Sequence, residues 1–221
     1  MSETEETLPI KVVLLGETAV GKSCLISRFV SDTFQTNHVA TMAGSFSSKN
    51  VFYDKVNKKI KYEIWDTAGQ EKYRSVNKMF YQDAGVAILV LDITRKDTFE
   101  AIKNYWYSEV KENSPKNIII AIAANKSDLY EYEEIGNEEL EQYAKSIGAI
   151  YKQTSALQST GINDLFDNIG YKILSPENYE EFIRKTNSRK QIKLNPTISD
   201  NDSNSQASAS LKAKDNKKSC C

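Results

Sequence analysis

Ile10-Lys-Val-Val-Leu-Leu15 is a short apolar run that stops on a glycine, and Gly16-Glu-Thr-Ala-Val-Gly-Lys-Ser23 follows without a break. From about Gly21 to Ser31 the spacing is helical. Strand, glycine-bounded loop and helix in this order satisfy the phosphate-loop pattern G-x-x-x-x-G-K-[ST] together with its required context. Glycines let successive backbone N–H groups converge on phosphate oxygens, and the helix N-terminus adds a favourable dipole. The nucleotide-contacting set this implies is Thr18, Ala19, Val20, Gly21, Lys22, Ser23 and Cys24. Lys22 supplies a compact positive charge to the β- and γ-phosphates, and Ser23 offers a hydroxyl to Mg²⁺. The Cys24 side chain itself reads as a small buried group.

The rest of the chain agrees with a fold that delivers such a loop. Gly85-Val-Ala-Ile-Leu-Val-Leu-Asp92 and Asn117-Ile-Ile-Ile-Ala-Ile-Ala-Ala124 are continuous apolar runs, as expected of parallel strands buried on both faces. Between them and after them, helical spacing covers about Asp97–Asn113, Asn137–Ile147 and Ile162–Leu174, with Asp97 and Ser159 as helix starts. Phe46–Val56 and Lys59–Trp65 alternate around Asn57 and read as an antiparallel hairpin. The fold class is therefore α/β: a doubly wound, mostly parallel sheet with one antiparallel edge strand and helices on both faces, binding ligands at the carboxyl ends of its strands.

Residues 9–175 form the expected domain and residues 176–221 a flexible tail. Residues 176–194 are strongly charged and could continue a helix; Asn195–Lys218 is too polar to bury a core and reads as disordered. Lys plus Arg (29) nearly balances Asp plus Glu (30), which gives no reason to expect nucleic-acid binding. The acidic start lacks the basic and apolar regions of a signal peptide, no apolar run is long enough for a membrane span, and the three cysteines form no secreted disulfide framework. A cytosolic chain is the expectation.

Two further strings narrow the chemistry. Asn125-Lys126-Ser-Asp128 follows a buried strand. A carboxylate at Asp128 can accept hydrogen bonds from guanine N1–H and the exocyclic amine, which adenine cannot offer in that geometry, so the wrong base would leave the carboxylate unpaired. Trp65-Asp-Thr-Ala-Gly-Gln-Glu71 closes the third strand. Asp66 would hold Mg²⁺ through water, Gly69 would bring its N–H to the γ-phosphate, and Gln70 would orient the attacking water.

Together these three motifs resemble those of the Ras-superfamily GTPases, P-loop NTPases, over about residues 9–175. The resemblance implies that Thr41 meets Mg²⁺ and the γ-phosphate, that Phe34 packs on the base, and that Thr154-Ser155-Ala156 gives a backbone N–H to guanine O6, with Leu157 covering the base. Lys22, Thr41, Gly69 and Gln70 become the catalytic set, with GTP as substrate and GDP as product. Within the superfamily, Lys61-Tyr-Glu-Ile-Trp65, Lys72-Tyr-Arg-Ser-Val76 and Leu89-Val-Leu-Asp-Ile-Thr94 are similar to Rab segments. Phe46, Trp65 and Phe80 resemble the aromatic triad of Rab switch surfaces and read equally well as core aromatics. Glu17-Thr-Ala-Val20 and Ser45-Phe46 lean towards the early-endosomal Rab branch. Three positions depart from the Rab pattern: Thr41-Met-Ala43, the altered Phe80–Ala84 string, and Leu157 in place of the usual lysine.

Cys220-Cys221 resembles the double-cysteine end that Rabs use for two geranylgeranyl groups; Ser2 excludes N-myristoylation, and there is no C-a-a-X box. The resemblance then implies a monomeric trafficking switch in the cytosol and on the cytoplasmic face of intracellular membranes, with endosomal membranes as the ones its branch leans to. It implies an exchange factor, a GTPase-activating protein, a GDP-dissociation inhibitor, prenylation machinery and effectors as partners. Two rivals stand beside this reading. A non-hydrolysing module locked in one state does not account for Ser23, Thr41 and Gln70 together. A small-molecule P-loop kinase does not account for Asn125–Asp128.

Overall fold

The computed structural model describes residues 7–34, 44–67 and 80–185. Six strands form one sheet: β1 (Thr7–Leu15), β2 (Ser45–Tyr53), β3 (Lys58–Asp66), β4 (Val86–Asp92), β5 (Ile119–Asn125) and β6 (Ile150–Gln153). Their order is β2-β3-β1-β4-β5-β6. All neighbours are parallel except β2, which pairs antiparallel with β3 at the edge. The expected mostly parallel sheet with one antiparallel edge strand is thus present. The hairpin turns through a single 3₁₀ turn, Asp54–Val56, and Asn57 takes the left-handed conformation (φ 49°) that asparagine tolerates well.

Why β4 and β5 are continuously apolar is visible in their neighbours. Successive side chains point to opposite faces, and both faces are covered. Val12, Leu14, Val86, Ile88, Val90, Ala121 and Ala123 join one core with α1 (Lys22–Ser31) and a C-terminal helix. Val13, Leu15, Ala87, Leu89, Leu91, Ile122 and Ala124 join the other. That second core is closed by Phe99 of α2 (Lys96–Ala101), Val110 of α3 (Tyr107–Asn113), and Leu140 and Ala144 of α4 (Asn137–Ser146). Every residue of β4 is buried.

Three sequence expectations need correction. The helix expected over 97–113 is not uniform: α2 and α3 are joined by a π-helical stretch, Ile102–Trp106, which turns the buried Trp106 inward. Strand β6 has no counterpart in the sequence reading, because Ile150-Tyr-Lys-Gln153 is short and its polar residues mask the alternation. Ser159 does not start the last helix; it has φ 58°, and α5 (Ile162–Leu174) begins after Gly161.

Gly170 sits inside α5, where glycine costs about 1 kcal/mol relative to alanine. It is there because a Cβ would lie 2.0 Å from the Tyr53 hydroxyl. Tyr53 and Tyr62 hydroxyls bond each other at 2.6 Å and both reach the Phe166 carbonyl, which satisfies two phenols in a buried apolar cluster. Beyond α5, a 3₁₀ turn at Pro176–Asn178 leads into a helical turn whose Tyr179 is buried, and the compact unit runs through Ile183.

Candidate functional site

The sheet brings its polar residues to one edge. Asp66, Asp92 and Asn125 are the last residues of β3, β4 and β5, and each is nearly fully buried. Parallel register places Leu14 beside Asp66 and Asp92 beside Asn125, so the end of β1 and its loop lie among them. The carboxyl edge is where a doubly wound sheet binds its ligand.

In the glycine loop, Ala19 (φ 64°) and Gly21 (φ 95°) both take positive φ. A side chain at Gly21 would meet the Asn125 amide at 2.4 Å, so only glycine fits between helix and amide. That amide donates to the Val20 carbonyl at 2.8 Å, and its oxygen accepts from the Thr154 hydroxyl at 3.3 Å. Asn125 therefore ties the phosphate loop, before it in the sequence, to the loop that follows β6. The first turn of α1 carries no acidic residue and no side-chain cap, which leaves its positive dipole end without a competing anion of its own.

Lys22 is 6% exposed, and its ammonium donates to the Gly16 and Glu17 carbonyls at 2.8 and 2.9 Å. Burial lowers its pKa to about 8, against the opposing attraction of Asp66 and Glu17. The Ser23 hydroxyl donates to Asp66 Oδ2 across 43 residues of sequence. Thr67, also buried, donates to the Leu14 carbonyl at 2.7 Å and fixes the chain where it leaves β3. Burial also pushes the Cys24 thiol up, with the Asp66 charge adding to it, so Cys24 is a neutral packing group.

On the other side of the loop, Ser155 is fully buried and its hydroxyl bonds the Asp128 carboxylate; it also accepts from the Gln158 N–H at 3.0 Å. Lys126 (φ 63°) extends its ammonium to Asp92 Oδ2 at 2.6 Å. Ala156 is 5% exposed and Leu157 52% exposed at the rim, and Phe34 is half-buried after the end of α1. The structure thus gathers Thr18–Cys24, Asp66, Asn125, Lys126, Asp128 and Ser155–Leu157 around one edge. Thr41, Gly69, Gln70, Cys220 and Cys221 lie outside the described residues, as does Ala43. Phe46, Trp65 and Phe80 form a contiguous row, with ring centroids 5.2 and 5.6 Å apart, and Phe46 is half exposed.

Sequence reading missed the outer supports of the loop. Trp106 Nε1 donates to Glu17 Oε1 at 3.1 Å, and Arg95 Nη1 donates to the Thr18 carbonyl at 3.1 Å. Asp92, which also accepts from the Thr94 N–H and hydroxyl, was visible only as the acid closing an apolar strand.

The Ras family model matches residues 11–175. Human Ras-related protein Rab-22A is 44% identical over 168 residues, 76% of this chain and 85% of that protein. Mouse Ras-related protein Rab-31 is 44% identical over 164 residues, 74% of this chain and 83% of that protein. A putative ras-related protein Rab-5B of Dictyostelium discoideum is 43% identical over 171 residues, 77% of each. The chain belongs to the Rab branch of the Ras family. It is a GTPase, a small switch protein of membrane trafficking. The Rab-like segments in β3 and β4 agree with this assignment, and the lean of Glu17–Val20 and Ser45–Phe46 towards the early-endosomal Rabs agrees with these relatives.

Proposed function

We propose that this Rab holds GTP with Mg²⁺, hydrolyses it slowly unaided, and passes between two states that partners distinguish. The observation that carries the reading is the contact of the Ser23 hydroxyl with the Asp66 carboxylate beside the buried Lys22 ammonium. Hard oxygen donors of this kind suit Mg²⁺, so the residues fit the ion: Ser23 and Thr41 as direct ligands and Asp66 through water. When bound, the ion would neutralise phosphate charge as it develops. Lys22 adds a second positive charge at the same phosphates, Gly69 contributes an N–H, and Gln70 orients the attacking water.

Base selection falls to Asp128, held by Ser155, with Asn125 keeping the two loops in register and Leu157 offering apolar cover at the rim. GTP bridging Thr41 and Gly69 would hold both segments in one arrangement, and loss of the γ-phosphate would release them. The glycine loop carries no arginine, so acceleration is assigned to an activating protein acting in trans. Exchange factors, a GDP-dissociation inhibitor and effectors complete the partner set.

Two lipid chains anchor stably where one binds marginally, which gives Cys220 and Cys221 a joint use at the cytoplasmic face of membranes, endosomal in this reading. Replacing both with Ser should move the protein to the soluble fraction of cells; retention in the membrane pellet would make the cysteines incidental.

The central test is single-turnover phosphate release from GTP-loaded protein, with and without Mg²⁺, for wild type and Gln70→Leu. Slow Mg²⁺-dependent release that the variant lacks is expected. No release even with a cell lysate would favour a module locked in one state. Displacement of bound GTP by ATP as readily as by GDP would overturn the guanine assignment.

A further inference from the structure

Arg28, on α1, carries no motif, yet it links more of the base side than any residue the motifs name. Its Nε donates to the Ala156 carbonyl at 2.9 Å and Nη2 to the Leu157 carbonyl at 3.2 Å, 128 and 129 residues away. Nη1 donates to the Asp32 carbonyl at 2.8 Å and to its carboxylate at 3.2 Å. That carboxylate also accepts from the Ser159 hydroxyl at 3.2 Å, which gives a second tie between the end of α1 and the loop after β6. The guanidinium carbon lies 5.8 Å from the Phe34 ring centroid. A planar fork with five donors can serve these acceptors at once; an ammonium cannot. The Arg28 side chain is only 17% exposed, and its bond to the Ala156 carbonyl is partly shielded from water, whereas the Asp32 side chain is 79% exposed.

We propose that Arg28 is a positioning residue that couples the loop Ser155–Leu157 to Asp32 and Phe34, just past the end of α1, so that release of the nucleotide requires the fork to open. This rests on the assignment of both elements to the guanine site. With the Ala156 and Leu157 carbonyls committed to Arg28, the peptide planes of the loop are fixed where the base would sit. With Asp32 and Phe34 on the same guanidinium, displacement of these two residues withdraws that support. The base then loses its apolar cover and its hydrogen-bonding loop together, which is a route by which an exchange factor acting on one segment would be felt at the other.

The test is release of fluorescent GDP from the full chain, in wild type, Arg28→Ala, Arg28→Lys, Phe34→Ala, Ser159→Ala and Arg28→Ala/Phe34→Ala. Losing the two carbonyl contacts should speed release about tenfold, and lysine should restore only part of that. Ser159→Ala, which leaves the guanidinium in place, should speed release by less. The double variant should release more slowly than the product of the two single factors, because both changes break one linkage. Chelating Mg²⁺ should multiply release by a similar factor in wild type and Arg28→Ala, since that acts at the phosphates. Release from Arg28→Ala within about twofold of wild type, or fully multiplicative effects in the double variant, would overturn the proposal. Failure of the wild-type chain to bind GDP would instead overturn the nucleotide assignment beneath it.

Discussion

The two halves of the site are built from different materials. On the base side, Asn125, Thr154, Ser155 and Arg28 bond mostly to backbone or to one another, and the charges there are already partnered, Asp128 by the Ser155 hydroxyl and Asp92 by Lys126. On the phosphate side the groups are charged and buried: Lys22 leans on two carbonyls, and Asp66 takes the Ser23 hydroxyl. Hydrogen-bonded neutral groups cost little to hold in a fixed array, whereas buried charge costs desolvation until an opposite charge arrives. The base side can therefore be formed in advance and select. The phosphate side gains most when ligand enters, which is where a switch should keep its dependence on the nucleotide's state.

The sharpest way to break this contrast is at Asp128. Asp128→Asn replaces an acceptor-only carboxylate with an amide that can also donate, so preference should move from guanine towards xanthine. Sites built on such pairing discriminate by on the order of 10⁴, so the change in the GTP-to-XTP affinity ratio should be the largest of any single substitution. Competition titrations with both nucleotides measure it, and an unchanged ratio would remove Asp128 from the base site.

Ser23→Asn should follow. It takes the hydroxyl from the Asp66 pair and from the proposed metal position, and it should weaken GTP relative to GDP by roughly 10²-fold, as expected for loss of a charge-assisted contact. Equal weakening of both nucleotides would mean that Ser23 does not sense the γ-phosphate end. Gly170→Ala tests the scaffold instead. It places a methyl group 2.0 Å from the Tyr53 hydroxyl and should lower the melting temperature through overpacking of about 1–3 kcal/mol, while leaving the GTP-to-GDP ratio alone. An unchanged melting temperature would show that the Tyr53–Tyr62 cluster yields easily.

How far the sequence reveals all this divides along the same line. β4 and β5 were readable because burial on both faces demands unbroken apolar residues, and Gly16–Ser23 because loop chemistry ties residue types to fixed spacing. Strand β6 was not, since four residues at the edge of the sheet pair only with β5 and need no strong pattern. The π-helical stretch leaves apolar spacing close to that of an ordinary helix, so the turn that brings Trp106 to Glu17 has no local signature. The contacts of Arg28 with Ala156 and of Lys126 with Asp92 depend on which strands lie side by side, and no motif encodes that.

The smallest effect gives the most direct test of buried charge on the phosphate side. Lys22 has its pKa lowered from 10.5 to about 8 by burial, so between those values the unfolded chain binds more protons than the folded, nucleotide-free one. Lys22 should then raise the stability of the nucleotide-free protein as pH goes from about 8 towards 9.5, opposed in part by the raised Cys24 thiol, in a window that ends before ordinary tyrosines titrate. Nucleotide affinity should move the opposite way. Phosphate oxygens favour the ammonium, so binding above pH 8 must take up a proton, and affinity should fall by up to about tenfold per pH unit. Calorimetry at pH 8.5 in two buffers of different ionisation enthalpy reads that proton directly, and thermal melts of the nucleotide-free protein read the stability. In Lys22→Met the rise in stability should be lost, leaving the opposite contribution of the raised Cys24 thiol, and the fall in affinity should shrink to what ionisation of the guanine N1–H itself causes. Proton uptake that persists undiminished in the variant would move the buried charge elsewhere in the loop, and affinity that stayed flat in wild type to pH 9.5 would show that Lys22 keeps its ordinary pKa, so that its burial costs nothing for the nucleotide to relieve.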